Sequence, residues 1–252
     1  MVGVYDSGVG GLSVWKELVA LMPGQDYVYV ADSAHCPYGE KSPEYIVGRA
    51  DAVTRLLLEK GADAVVVACN TATAAAISYL RASYQVPFIG MEPAVKPAAL
   101  ASVSGVVGVL ATANTFKGSL YRDTVMKYAS GITVIEKVGR GLVEAVEKGE
   151  IPRGLVRRYV DEMVGEGADV IVLGCTHYPF LEDEISRCAG PSVRIVNPAP
   201  AVAAQTMRVL DGHVSGTGTR KFYSTGDTAV LRSLATGIDP SLSPADFETI
   251  SI

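Results

Sequence analysis

Gly61-Ala62-Asp63-Ala64-Val65-Val66-Val67-Ala68-Cys69-Asn70 is echoed 106 positions later by Gly167-Ala168-Asp169-Val170-Ile171-Val172-Leu173-Gly174-Cys175-Thr176. Both segments run from Gly-Ala-Asp through an apolar stretch to a cysteine. Val2-Gly3-Val4-Tyr5-Asp6-Ser7 recurs in the same way as Val107-Gly108-Val109-Leu110-Ala111-Thr112, and Val86-Pro87-Phe88-Ile89 more weakly as Val193-Arg194-Ile195-Val196. Three matches in one order at nearly constant offset indicate a duplicated unit. Buried strands that merely look alike have no reason to end alike in cysteine.

Around these segments, apolar runs of strand length alternate with longer amphipathic stretches: Tyr27–Val30, Val106–Leu110, Ile132–Ile135 and Val170–Leu173 are examples. Continuous runs rich in valine and isoleucine suit a parallel sheet covered by helices on both faces. Ser42-Pro43 reads as an N-cap followed by proline at the first helical position. Ile46, Ala50, Val53 and Leu57 then mark one helical face, and Gly61 ends that helix. The expectation is an α/β fold of two similar parallel-sheet domains, related by a pseudo-twofold axis with the active site in the cleft between them. They divide near Pro93–Pro97. The tail reads as a helix over Ala199–Leu210, a Gly/Ser/Thr-rich loop over Asp211–Thr219, a strand over Lys221–Ser224 and a helix over Ala229–Leu234. It is expected to cross back, giving a first domain of residues 1–95 plus 208–252 and a second of 96–207.

The 252 residues carry 48% hydrophobic and 19% charged side chains, enough apolar surface for a substantial core and unlike a disordered chain. Lysine and arginine total 22 against 27 acids, a net charge of −5. A chain that neutralises phosphates carries the opposite excess, so nucleic acid is not expected as principal partner. No apolar run approaches the roughly 20 residues that span a bilayer. Met1–Asp6 lacks a basic stretch and apolar block, which predicts a cytoplasmic protein without a membrane partner.

The four cysteines are Cys36, Cys69, Cys175 and Cys188. None forms a CxxC pair or a zinc-finger spacing with His35, His177 or His213, so no metal site is expected. Cys36 and Cys188 have no repeat partner and read as small buried hydrophobes. Cys69 and Cys175 differ. They fall at the carboxyl ends of equivalent strands, where open α/β sheets bind ligands. Each is expected to open the first turn of a helix, whose free amides stabilise a thiolate. Two such thiols facing one cleft suit acid–base chemistry from both faces of a carbon, one removing a proton while the other delivers one. Short polar residues surround them: Asn70-Thr71-Ala72-Thr73 after the first, Thr176-His177-Tyr178-Pro179 after the second, Asp6-Ser7-Gly8-Val9-Gly10-Gly11 after the first strand. Hydroxyls and exposed amides of this kind form anion sites, so carboxylates are plausible ligands. Gly8, Gly10 and Gly11 miss the dinucleotide fingerprint because Ser13 stands where its third glycine belongs. A tight strand-to-helix turn accounts for them equally well.

Asp-Ser-Gly-Val-Gly-Gly-Leu at 6–12, Pro-Tyr-Gly at 37–39, Ala-Cys-Asn-Thr-Ala at 68–72, Glu-Pro-Ala at 92–94 and Gly-Cys-Thr-His-Tyr-Pro at 174–179 together resemble the glutamate racemases of the cofactor-independent aspartate/glutamate racemase superfamily. The resemblance implies reversible interconversion of L- and D-glutamate without pyridoxal phosphate or any other cofactor. It also implies supply of D-glutamate for peptidoglycan, and so for cell wall and cell shape, and a homodimer. By motif it implies Cys69 and Cys175 as the proton-transfer thiols, assisted by Asp6 and His177 respectively. Ser7, Tyr38, Gly39, Asn70, Thr71, Thr112 and Thr176 match substrate-binding positions. Val146-Glu147-Lys148-Gly149 matches a further acidic segment. Gly139-Arg140-Gly141 departs from the Cys-Pro common before it, so Glu144 competes with Glu147 for that role.

Three other readings stand beside this one. The same chemistry could serve aspartate or another acid. A cysteine–histidine hydrolase would use Cys175 and His177, yet it leaves Cys69 and the repeat without purpose, and neighbours on one turn rarely meet as nucleophile and base. A two-lobed small-molecule binding protein needs only the cleft.

Overall fold

The computed structural model describes residues 1–214 and 216–252. The first half runs β1 (Val2–Asp6), α1 (Leu12–Leu21), β2 (Tyr27–Ala31), α2 (Pro43–Glu59), β3 (Ala64–Val67), α3 (Asn70–Ser83) and β4 (Phe88–Gly90). α4 (Val95–Ala101) leads into β5 (Val106–Ala111), α5 (Ala113–Lys117), α6 (Ser119–Tyr128), β6 (Thr133–Val138) and α7 (Leu142–Glu147). α8 (Arg153–Gly165), β7 (Val170–Gly174), α9 (Glu182–Ala189) and β8 (Arg194–Val196) complete the second half. The tail holds α10 (Ala199–Val209), β9 (Arg220–Ser224), α11 (Ala229–Ile238) and β10 (Phe247–Thr249).

Two sheets form, ordered β10-β9-β2-β1-β3-β4 and β6-β5-β7-β8, and every strand pair is parallel. The order β2-β1-β3-β4 in one lobe is the order β6-β5-β7-β8 in the other, so the sequence repeat is a repeat of topology. The central strands β1, β3 and β7 are buried along their whole length, as strands of a parallel sheet between helix layers are. The tail adds β9 beside β2 and β10 beyond it, and Phe222 of β9 packs edge-on against Trp15 of α1 at 5.0 Å between ring centres. α10 also packs along α1.

Local reading of the helices fares well where caps are explicit. The Ser42 side chain accepts a hydrogen bond from the Tyr45 amide at 3.3 Å, Pro43 opens α2, and Ile46, Ala50, Val53 and Leu57 are all buried. α4 begins within the Pro93–Pro97 segment, between the last strand of one sheet and the first of the other. Pro97 falls in its first turn, where a missing N–H removes no helical bond. Within the expected 211–219 loop, Ser215 lies outside the described residues.

Candidate active site

The carboxyl ends of β1, β3, β5 and β7 converge on one small cavity. Asp6 closes β1 and is fully buried. Its Oδ1 accepts the Gly8 amide at 2.9 Å and its Oδ2 accepts the Thr176 hydroxyl of the opposite lobe at 3.0 Å. The glycines after it are explained by that opposite lobe. A Cβ at Gly8 would collide with the Glu147 carboxylate, and one at Gly10 with the His177 ring. Missing side chains let α7 and the turn after β7 press onto the first lobe. There Glu147 Oε1 accepts the Val9 amide at 2.7 Å, and the Ser13 hydroxyl donates to the Thr176 carbonyl at 2.9 Å.

Cys69 caps α3, its Sγ accepting the Ala72 amide at 3.4 Å and lying 3.6 Å from Ser7 Oγ. Burial pushes the thiol up to about 12, and the Asp6 carboxylate adds to the rise against the Ala72 amide and Ser7 hydroxyl. Cys175, also buried, is not the helix cap expected of it. The chain after β7 makes a tight 3-10 turn over Tyr178–Leu181, with Pro179 in its first positions, before α9 begins. That turn brings His177 Nδ1 to 3.7 Å from Cys175 Sγ. His177 Nε2 donates to Glu147 Oε1 at 2.6 Å. Burial disfavours a charged His177, but hydrogen bonds to Cys175, Cys36 and Glu147 outweigh it and hold the imidazolium well above the usual histidine range. Burial raises Asp6 to about 6, with His177 and the Gly8 amide pulling the other way.

The two sulfurs thus sit in unlike surroundings: a carboxylate stands behind Cys69, an imidazolium beside Cys175.

Ser7, Tyr38, Gly39, Cys69, Asn70, Thr71, Thr112, Cys175, Thr176 and His177 all line the cavity, with Pro37 and Val143 added by the fold. Asp6 and Glu147 stand behind that lining, on Thr176 and His177. Glu144 faces solvent on α7, so Glu147 is the acid that reaches the site. Thr71 and Thr112 meet across the lobes, Oγ1 to Oγ1, at 2.9 Å. Asn70 Oδ1 is buried without a hydrogen-bond partner, an acceptor awaiting a donor. No lysine or arginine is among the lining residues. The cavity holds about 10 Å³, room for about one water molecule. An open groove of about 650 Å³, sharing Gly39 and Thr71 with it, leads outward past Lys41, Lys117 and Arg140. The cavity as it stands is too small for a ligand of more than a few atoms.

Sequence reasoning missed three supports. Asp32, after β2, is fully buried. It takes hydrogen bonds from the Tyr38 hydroxyl, from Arg49 Nε and Nη2 at 2.9 and 2.8 Å, and from Thr225 of the tail at 2.9 Å. Asn114 Nδ2 donates to the carbonyls of Tyr38 at 3.1 Å and Lys41 at 2.8 Å, joining the lobes. Cys36, read as a plain hydrophobe, is half-buried beside His177 and Glu147, with its thiol within reach of both. Its place just before Pro37-Tyr38-Gly39 was the available signal.

Paired parallel-sheet lobes with a thiol at the end of each equivalent strand define a two-thiol racemase architecture. The chain belongs to the Asp/Glu/Hydantoin racemase family, whose pattern it matches over residues 9–206. It is 51% identical over 244 residues to a glutamate racemase of Methylococcus capsulatus, covering 93% of this chain and 90% of that one. The fold is similar to that of Escherichia coli glutamate racemase, solved with L-glutamate and the activator UDP-MurNAc-ala: TM-score 0.85, 32% identity, 98% of this chain and 96% of that one. A glutamate racemase isoform of Bacillus anthracis gives TM-score 0.86 at 28% identity, covering 100% of this chain and 97% of that one.

Proposed function

We propose that the chain is a glutamate racemase that interconverts L- and D-glutamate by a two-base thiol mechanism without pyridoxal phosphate, supplying D-glutamate for peptidoglycan. The observation that carries this reading is the pair Cys69 and Cys175, brought from equivalent strands of two lobes to one cavity. One thiolate takes the α-proton, forming S–H as Cα–H breaks, and the other thiol donates its proton to the opposite face of the carbanion. The charge that moves onto the α-carboxylate is met by hydroxyls and amides of Ser7, Asn70, Thr71, Thr112 and Thr176, whose donors strengthen as it develops. Asn70 Oδ1 suits the substrate ammonium.

Asp6 and His177 act behind the thiols and Glu147 holds His177. The imidazolium beside Cys175 favours proton removal by that sulfur in one direction, while the protonated Cys69 delivers. Tyr38 and Gly39 form the wall of the cleft. Closure involves the lobes 1–95 plus 208–252 and 96–207, with α10, lying on α1, at their border. In the same reading the protein works in the cytoplasm as a homodimer. No helix among the described residues is long and apolar enough to cross a membrane.

The test is incubation with L-glutamate in D2O without added cofactor, following optical rotation and the α-proton signal. Racemisation with deuterium in the newly formed enantiomer is expected. Absence of both in folded protein overturns the reading, and turnover of aspartate alone would move it to the sibling substrate.

A further inference from the structure

One thiol beside His177 is not among the residues that line the cavity. Cys36 lies on the turn before Pro37, and its Sγ, one ring nitrogen of His177 and a carboxylate oxygen of Glu147 all lie within 4.8 Å of one another. They come from three separate places in the chain: the 33–36 turn of the first lobe, the end of α7 and the turn after β7. Sulfur, imidazole and carboxylate are the donors that zinc takes, and three of them with one open position make a typical three-ligand zinc shell. In such a shell the metal sits about 2.0–2.3 Å from each donor, which places the donors roughly 3–4 Å apart. The His177 Nε2–Glu147 Oε1 contact, 2.6 Å here, would open by roughly an ångström to admit the ion. The His177 side chain is 2% and the Glu147 side chain 17% accessible, and Cys36 is half-buried, so the cluster is held by its surroundings while two of its three donors keep some exposure to solvent.

We propose that Cys36, His177 and Glu147 form a binding site for a thiophilic divalent cation such as Zn2+ or Cd2+, and that the bound cation switches the protein off. Binding breaks the Cys36 S–H and one His177 N–H and releases both protons to solvent; capture of that ring nitrogen and the Glu147 carboxylate takes both from the Cys175–His177–Glu147 relay, and a cation at that point also holds the two lobes together through ligands from each. Binding itself does not depend on the proposed activity. The inhibition does rest on it, and the two are read separately.

The experiment titrates the full chain, reduced and freed of metal, with Cd2+ alone and follows the ultraviolet thiolate-to-cadmium charge-transfer absorption. One equivalent is expected to bind, and Cys36→Ser and Cys36→Ala to weaken that binding at least about tenfold, the scale of losing a metal-site partner. Circular dichroism verifies that both variants fold. Glu147→Gln keeps every thiol and is expected to weaken binding as well. On the activity side, Zn2+ is expected to inhibit the wild type reversibly, with chelator restoring the rate. Cys36→Ser, measured against its own metal-free rate, needs at least about tenfold more Zn2+ for half-inhibition. Unchanged cadmium affinity in both folded Cys36 variants would overturn the site, because the cation would then be held elsewhere, as between Cys69 and Cys175. Cadmium binding that depends on Cys36 in a protein that racemises nothing would leave the site standing and remove the racemase reading.

Discussion

Replacing Asp6 with asparagine tests whether the buried charge behind Cys69 is kept at the expense of stability. The carboxyl is raised from 3.8 to about 6, chiefly by burial, and that gap corresponds to roughly 3 kcal/mol against the ionised form at neutral pH. His177, Glu147, Cys69, Cys36, Tyr5 and Tyr29 are titratable groups that share its field. In the Asn variant the amide oxygen still accepts the Gly8 N–H, and the Thr176 hydroxyl turns to accept from the amide nitrogen. Little hydrogen bonding is lost and the desolvated charge disappears. The expected gain at pH 7 is about 2 kcal/mol, which raises Tm by roughly 4–8 °C for a chain of this size.

The pH dependence carries the sign. Between 3.8 and about 6 the folded protein holds a proton that the unfolded chain has released. Wild-type stability from this group is therefore greatest at low pH and falls as pH rises through that window. The asparagine variant lacks the effect, so its advantage is small at pH 4 and full by pH 7. Thermal melts of both proteins at these two values measure the difference directly, and racemisation assays on the same samples are expected to show the variant slower. An advantage that is equal at both pH values, or a variant less stable than wild type at pH 7, would refute the argument.

Cys69→Ala and Cys175→Ala are each expected to abolish racemisation, measured by optical rotation; a wild-type rate in either removes the paired-thiol mechanism. Gly10→Ala drives a methyl into His177 and is expected to lower kcat/KM by about 100-fold, the scale of an ångström-level misplacement, with an unchanged circular dichroism spectrum. Asp32→Asn leaves Arg49 without its carboxylate and loosens Tyr38. It is expected to cost about 3 kcal/mol in denaturant melts and to raise KM for glutamate.

What the sequence discloses and what it hides follow from the range of the forces involved. The duplicated strands, the Ser42-Pro43 cap and the buried face of α2 are local patterns, and each stands where it was expected. Cys69 as the opening of α3 is equally local. The helical turn expected after Cys175 failed because Pro179 and the docking of His177 against Gly10 set that segment's path, and only the second lobe's position reveals the docking. The reason for Gly8 and Gly10 is likewise invisible along the chain, since it lies in side chains more than 130 positions away. Glu147 could be separated from Glu144 only by seeing which face of α7 turns toward the cleft. Asp32 and Asn114 have no repeat counterpart and no motif spacing, so their convergence on the Tyr38 segment belongs to tertiary structure alone.

The unlike company of the two sulfurs meets a constraint that no side chain can alter. Mirror-image acids in free solution have equal free energy, so their equilibrium ratio is unity and kcat/KM must be the same from either enantiomer. Whatever bias the carboxylate on one flank and the imidazolium on the other impose is confined to matched changes: the hand that turns over faster when saturated must also be bound more loosely, by the same factor.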